Sequence, residues 1–266
     1  MANQRTRTVK RVADKRSFRG RLAALRIGAD EGNAEASFEL ACLLQDGLVN
    51  GRGRQLVAPD FAGAVAAYRR AVELGDVGAL LNLGLCYDRG KGVRRNSRRA
   101  LHCYSRLWKA RRDGSAATNI ATVYRDDGDL RRAFQWLRKA AGTGSGGARA
   151  DVGYWLYYGI GVRRDVAKAL TAFHRAAQSR QISDFDREEA LYLRAVAYLD
   201  RGGPHNRAKA RALLIRANAD DDYPEARTLV AQLDLETEPV PCRCRRGLDR
   251  HVRGQAPCDV HRQRYR

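Results

Sequence analysis

A chain of 266 residues, 44% of them hydrophobic, is long enough for one large packed domain or two small ones. Its net charge of +20 points towards acidic or phosphate-bearing partners, and no apolar run approaches the roughly 20 residues that span a bilayer. Three Trp, six Phe and one Met, beside abundant Ala and Leu, favour helix over sheet.

The first residues, MANQRTRTVKRVADKRS, are basic with no apolar stretch behind them. That does not fit a secretory signal. The expected location is therefore the cytoplasm, where the six cysteines stay reduced. Residues 1–16 are expected to be a disordered basic N-terminus. Residues 1–33 and 240–266 each contribute +6 of the net charge, and clustered arginine is the electrostatic footprint of a phosphate-backbone binder. The stretch RGRLAALRIGADEG at 19–32 reads as a lone N-terminal capping helix.

From there a pattern repeats five times. Its first half occurs as Ala36–Leu40–Ala41–Leu44, Ala79–Leu83–Gly84–Tyr87, Ala116–Ile120–Ala121–Tyr124, Ala148–Val152–Gly153–Leu156 and, with a charge in the aliphatic slot, Ala190–Arg194–Ala195–Tyr198. Its second half comes after each copy: Ala64–Tyr68–Ala71, Ala100–Tyr104–Leu107, Ala133–Leu137–Ala140, Ala169–Phe173–Ala176 and Ala210–Leu214–Ala217. Both spacings are helical, so each set lies on one face. A helical hairpin is thus expected in each copy, with small residues allowing close backbone approach. No hairpin can bury its stripe alone, so the units must stack.

Between the two halves lie YDRGKGVRRN (87–96) and LYYGIGVRRD (156–165). A Gly-x-Gly beside two arginines could cradle a phosphate, but such a loop follows a buried strand, and the preceding ARADVGYWLYY has no β-branched run. A helix–helix turn fits instead. Gly90 and Gly159 end the first helix in a left-handed conformation, Val93 and Val162 tuck the loop inward, and Asn96 and Asp165 are N-caps. The first copy has a long loop, DGLVNGRGRQLVAPD, the third a short one, YRDDGDL, and the fifth lacks the Gly-x-Gly-Val. YPEARTLVAQLDLE (223–236) reads as a closing helix with Pro224 in its first turn, and residues 237–241 as a linker.

Residues 20–235 resemble the Sel-one-like repeat, a relative of the tetratricopeptide repeat. That unit of about 36 residues has a Leu-Gly pair, a Tyr, a Gly-x-Gly-Val loop, an Asp, Lys-Ala and a terminal Ala-Ala. Gly153, Gly159, Gly161, Val162, Asp165, Lys168, Ala169, Ala176 and Ala177 match it position by position. The resemblance implies an all-α fold: an α-solenoid of about five helical-hairpin repeats with capping helices over 17–236. It also implies a scaffold or adaptor that binds a protein partner on the solenoid surface.

The end of the chain, 242–266, is an Arg-rich tail with few apolar residues. Cys242-x-Cys244 and Cys258-x-x-His261 are two close ligand pairs across a short loop, the arrangement of a tetrahedral structural zinc, with His251 a spare ligand. The segment resembles the SWIM-type zinc finger, with one extra residue in the last pair. A metal would staple a tail too small for its own core.

No catalytic constellation stands out. His102 and His174 read as helix-surface polar residues, Cys42, Cys86 and Cys103 as core filler, and the runs at 94–99 and 138–140 as solvated faces. The expected function is a non-catalytic interaction scaffold with no membrane and no small-molecule substrate. The alternative is a nucleic-acid-associated protein using basic termini and a zinc-binding tail.

Overall fold

The computed structural model describes residues 15–49, 52–221 and 223–237. Among them are twelve α-helices and one two-stranded ribbon. The chain divides into two compact units, residues 1–123 and 124–266, with the boundary inside one helix. The first unit holds α1 (Lys15–Asp30), α2 (Ala34–Asp46), β1 (Leu48–Val49), β2 (Gln55–Val57), α3 (Phe61–Glu73), α4 (Ala79–Arg89) and α5 (Ser97–Arg111). Helix α6 (Gly114–Asp126) straddles the boundary. The second unit holds α7 (Leu130–Gly142), α8 (Gly146–Tyr158), α9 (Val166–Ala177), α10 (Asp184–Arg201), α11 (Pro204–Ala217) and α12 (Pro224–Thr237).

In each unit successive helices pack on one another. In the first, α2 pairs with α3 and α4 with α5, with α1 against α2; in the second, α8 pairs with α9 and α10 with α11, with α12 against α11. The two outer helices lie over the segments read as helical at the ends of the repeats. Helix α1 starts at Lys15, slightly ahead of the expected boundary, and α12 runs to Thr237.

The second-half stripes read from the sequence are the centre of the core, while Ala36, Leu44, Tyr124, Val152, Arg194 and Tyr198 of the first-half stripes are half-buried. Every residue of the five second-half stripes is buried, none more than 5% exposed. Fully burying a Tyr, Phe or Leu side chain stabilises by about 1.5–3 kcal/mol, so these stripes carry the hairpins. Glycine is what lets the helices close. A Cβ built on Gly84 would lie 2.4 Å from the Tyr104 ring, and one on Gly153 would lie 2.7 Å from the Phe173 ring. The aromatic of each second helix sits directly on the backbone of the first.

The Gly-x-Gly loops have two separate jobs. Gly90 and Gly159 cap α4 and α8 in the left-handed conformation, at φ 70° and 74°. The second glycine faces the preceding repeat: a Cβ on Gly92 would collide with the Phe61 carbonyl, and one on Gly161 with that of Leu130. Both also hold positive φ, so no other residue fits. Asn96 and Asp165 then cap α5 and α9, accepting from the Arg99 and Lys168 N–H groups.

One backbone bond closes the loops, whatever their length. The N-cap residue of the second helix donates its N–H to the carbonyl of the last stripe residue of the first. The pairs are Asp60 to Leu44, Asn96 to Tyr87, Asp129 to Tyr124 and Asp165 to Leu156, each at 2.8 Å. The fifth copy replaces this device with Gly202 and Gly203, and Gly203 caps α11 with no side-chain bond.

The expected all-α fold carries one small ribbon. The long first loop forms an antiparallel ribbon, with Leu48 opposite Val57 and Val49 opposite Gln55. Its cause is apolar. Leu48 is buried with Phe18 and Leu43, and Leu56 and Val57 pack beside them together with Leu22 and Leu25 of α1. The loop therefore seals the gap between the capping helix and α2.

Gly153→Leu should push Phe173 off its seat and destabilise by about 1–3 kcal/mol in chemical denaturation. Gly20, in α1, has nothing within 4 Å of its Cβ position. Gly20→Ala should stabilise by about 0.5–1 kcal/mol. Equal effects from the two changes would show that backbone entropy, not the Phe173 contact, governs Gly153.

Candidate functional site

The reactive side chains within the repeats are committed to packing. Cys86 and Cys103 are buried and Cys42 half-buried, all as free thiols. Burial raises the Cys103 pKa to about 11, with Arg106 pulling the other way, so this thiol is no nucleophile. Cys42 lies 3.5 Å from the Tyr68 hydroxyl, and its pKa is raised too, chiefly by burial. No group of three or more His, Cys, Asp or Glu among the described residues could hold a metal. The expected zinc ligands Cys242, Cys244, Cys258 and His261, and the spare His251, lie outside the described residues.

His174 is more than a surface residue. Its Nδ1 lies 3.0 Å from Nη1 of Arg194, so it is the acceptor and the imidazole is neutral. Arg194 is the charge standing in the aliphatic slot of the fifth copy. Half-buried, it answers that placement with His174 and with the Tyr198 ring, 5.7 Å beneath its guanidinium. Burial, then the Arg194 charge, lowers the His174 pKa.

Several of the basic runs are structural as well. Arg95 and Arg164 donate Nε–H to the carbonyls of Asp88 and Tyr157, closing the Gly-x-Gly loops from outside. Arg99 stacks over Tyr87, and Arg132 over Tyr124. Lys168 pairs with its own cap, Asp165, at 2.8 Å. That contact lowers the Asp165 pKa through the Lys168 side-chain hydrogen bond. The expectation of a wholly solvated run at 94–99 is therefore corrected.

A concavity among the described residues could take a ligand. In the second unit, an open hollow of about 560 Å³ is lined by α7, α8, α9 and the turn after α9. Arg138, Arg149 and Arg175 converge on it, with Ala141, Gly142, Val152 and Ala172 as small or apolar lining and Gln178 and Ser179 at one end. The Ser179 hydroxyl already donates to the Gly144 carbonyl and accepts from the Gln181 N–H. No carboxylate is part of the lining. The three arginines come from three helices, so linear spacing gives no sign of their meeting.

The comparisons with known proteins bear on the role of such a framework. Residues 34–76, 77–107, 122–142, 147–179 and 188–222 match the Sel1 repeat. The chain belongs to the Sel1 repeat family. Four of these segments cover a full copy of the pattern, including the fifth, where the Gly-x-Gly-Val is lost; the third, 122–142, covers only Tyr124 and the second half of its copy. The chitin synthase regulator SKT5 of Saccharomyces cerevisiae is 28% identical over 156 residues, 56% of this chain. The match spans only 22% of that longer relative. Among solved structures, a protective antigen of uropathogenic Escherichia coli, c5321, displays an SLR fold. It superposes with a TM-score of 0.61 at 22% identity, over 92% of this chain and 48% of its own. A Sel1 repeat protein from Oxalobacter formigenes superposes at TM-score 0.55 and 24% identity, over 77% of each chain. The two structures establish the fold. Sel1 repeat proteins generally act as protein-interaction scaffolds or adaptors. No helix among the described residues is long and apolar enough to cross a membrane.

The His174–Arg194 pair yields a pH prediction. Because the folded imidazole titrates below 6.5, the unfolded chain binds more protons as acid is added. The pair's contribution is full above that value and is lost as pH falls through it towards the folded pKa. His174→Gln keeps an acceptor but cannot titrate. Its denaturation midpoint should change less than that of the wild type between about pH 7.5 and 5.5.

Proposed function

We propose that this Sel1 repeat protein is a non-catalytic scaffold that binds a protein partner on the surface of its helical repeats. The observation that carries this reading is the match of five successive segments to the Sel1 repeat, in which glycines and alanines are consumed by internal packing. A framework of that kind leaves its outer side chains available for recognition. The name of the yeast relative, a chitin synthase regulator, suits action through another protein. The cytoplasm is the proposed location, where a reducing environment keeps Cys42, Cys86 and Cys103 as the free thiols they are. The nucleic-acid alternative finds no support in the comparisons.

The test is capture from the native host with immobilised full-length protein, with and without nuclease. A defined protein retained after nuclease, at near-stoichiometric amount and at raised salt, is the expected result. Retention that nuclease abolishes would replace the scaffold with a nucleic-acid binder, whose affinity should also fall steeply with salt.

Zinc in the tail is part of the same proposal. Cys242, Cys244, Cys258 and His261 would hold one closed structural zinc. Protein purified without added metal should carry one zinc per chain, largely lost in Cys258→Ser. Metal-free wild type that takes up no zinc under reducing conditions would remove it.

A further inference from the structure

We propose that the hollow between α7, α8 and α9 binds an acidic peptide segment of a partner protein, with two or more carboxylates entering among Arg138, Arg149 and Arg175. The inference rests on the scaffold reading and names the chemistry of its partner. Arg138 and Arg175 are exposed and Arg149 half-buried, so three cations border one open cavity whose lining contributes no negative charge. Neighbouring like charges repel, and only a bound anion turns that repulsion into attraction. Guanidinium is the cation best shaped for this, because its planar fork takes both carboxylate oxygens at once.

Some of the other arginines of this unit show what an available acid does. Arg164 pairs with Asp200, Arg187 with Asp184, Arg211 with Asp234 and Arg227 with Asp221. None of the three cavity arginines has an ion pair with a described residue. Their charge is left open to an anion from outside the chain.

The rest of the lining selects the kind of anion. Ala141, Gly142, Val152 and Ala172 form a low, apolar surface that receives the methylene stem of Asp or Glu. Gln178 presents an amide, able both to donate to and to accept from a peptide backbone. No aromatic ring lines the hollow, so a nucleobase would find nothing to stack on. Its volume lies within the range of about 300–1,000 Å³ typical of ligand sites, and its open side lets a chain pass in and out. Gly142 has nothing within 4 Å of its Cβ position, which leaves open space at that part of the lining.

The test uses full-length protein and a short fluorescent peptide alternating Glu and Ala, with anisotropy read at physiological salt. Arg138→Glu with Arg175→Glu should weaken binding by about tenfold or more. Arg98→Glu with Arg106→Glu, an equal charge change on exposed positions of α5, should weaken it by less than about twofold. Gly142→Trp, which fills the hollow without touching charge, should weaken binding as well, with circular dichroism confirming the fold. A Gln-for-Glu peptide should not bind. Equal loss from the two charge reversals would overturn the site, since bulk charge alone would then account for binding. An oligonucleotide that binds better than the peptide and is lost in the same cavity variants would reassign the hollow to nucleic acid. If wild-type protein captures a host partner but no variant affects the peptide, the cavity assignment fails and the scaffold reading stands. If it captures no protein, the scaffold reading itself fails.

Discussion

An aromatic ring lying on bare backbone is the contact on which each well-formed hairpin rests. Tyr104 covers Gly84 and Phe173 covers Gly153, at separations a methyl group could not share. With the rings seated, Ala100 and Leu107 beside Tyr104, and Ala169 and Ala176 beside Phe173, are buried, and the two helices of a pair lie close enough to exclude water. The second glycine of each Gly-x-Gly repeats the principle one level up. It lets the loop of one repeat rest against the first residue of the preceding repeat's second helix. Close approach within the hairpin and between hairpins thus comes from the same residue type, used at different positions.

This economy explains what was legible in the sequence. The stripes at helical spacing give the hairpins, their order and both capping helices, because burial of a face is a linear pattern once the period is known. The left-handed caps at Gly90 and Gly159 follow from glycine's conformational freedom, and the caps at Asn96 and Asp165 from their short side chains. The ribbon at Leu48–Val57 escaped because only three of its residues are apolar enough to matter, and their partners, Phe18, Leu22 and Leu25, lie on a helix far back in the chain. Arg194 stood out only as a misfit, since its partner His174 is on another helix. The arginine-lined hollow was invisible for the same reason: Arg138, Arg149 and Arg175 meet only when α7, α8 and α9 are packed.

Positive charge is therefore not one property of this chain. Some of it is architecture. Arg95 and Arg164 close loops, Arg99 and Arg132 lie on tyrosines, and Lys168 neutralises its own cap. Substituting these residues would be felt through loop geometry and helix capping. Arg138 and Arg175 stand apart from that role, exposed on α7 and α9 where a change of sign disturbs little internal packing. A high net charge read from composition merges the two kinds, and only the packed helices separate them.

The loop-closing bond has a consequence for how such a chain can grow. From Leu44 to Asp60 it spans fifteen intervening residues, and from Tyr124 to Asp129 only four, yet its length is 2.8 Å in both. Loop-closure entropy rises only logarithmically, so the longer excursion costs about 1 kcal/mol more. The bond acts as a clamp that isolates the helices from whatever lies beyond it. Insertions at that point are nearly silent thermodynamically, and a long enough one can fold on its own terms, as the ribbon did. Each clamped turn is a port through which a repeat can acquire a new surface without relearning how to pack.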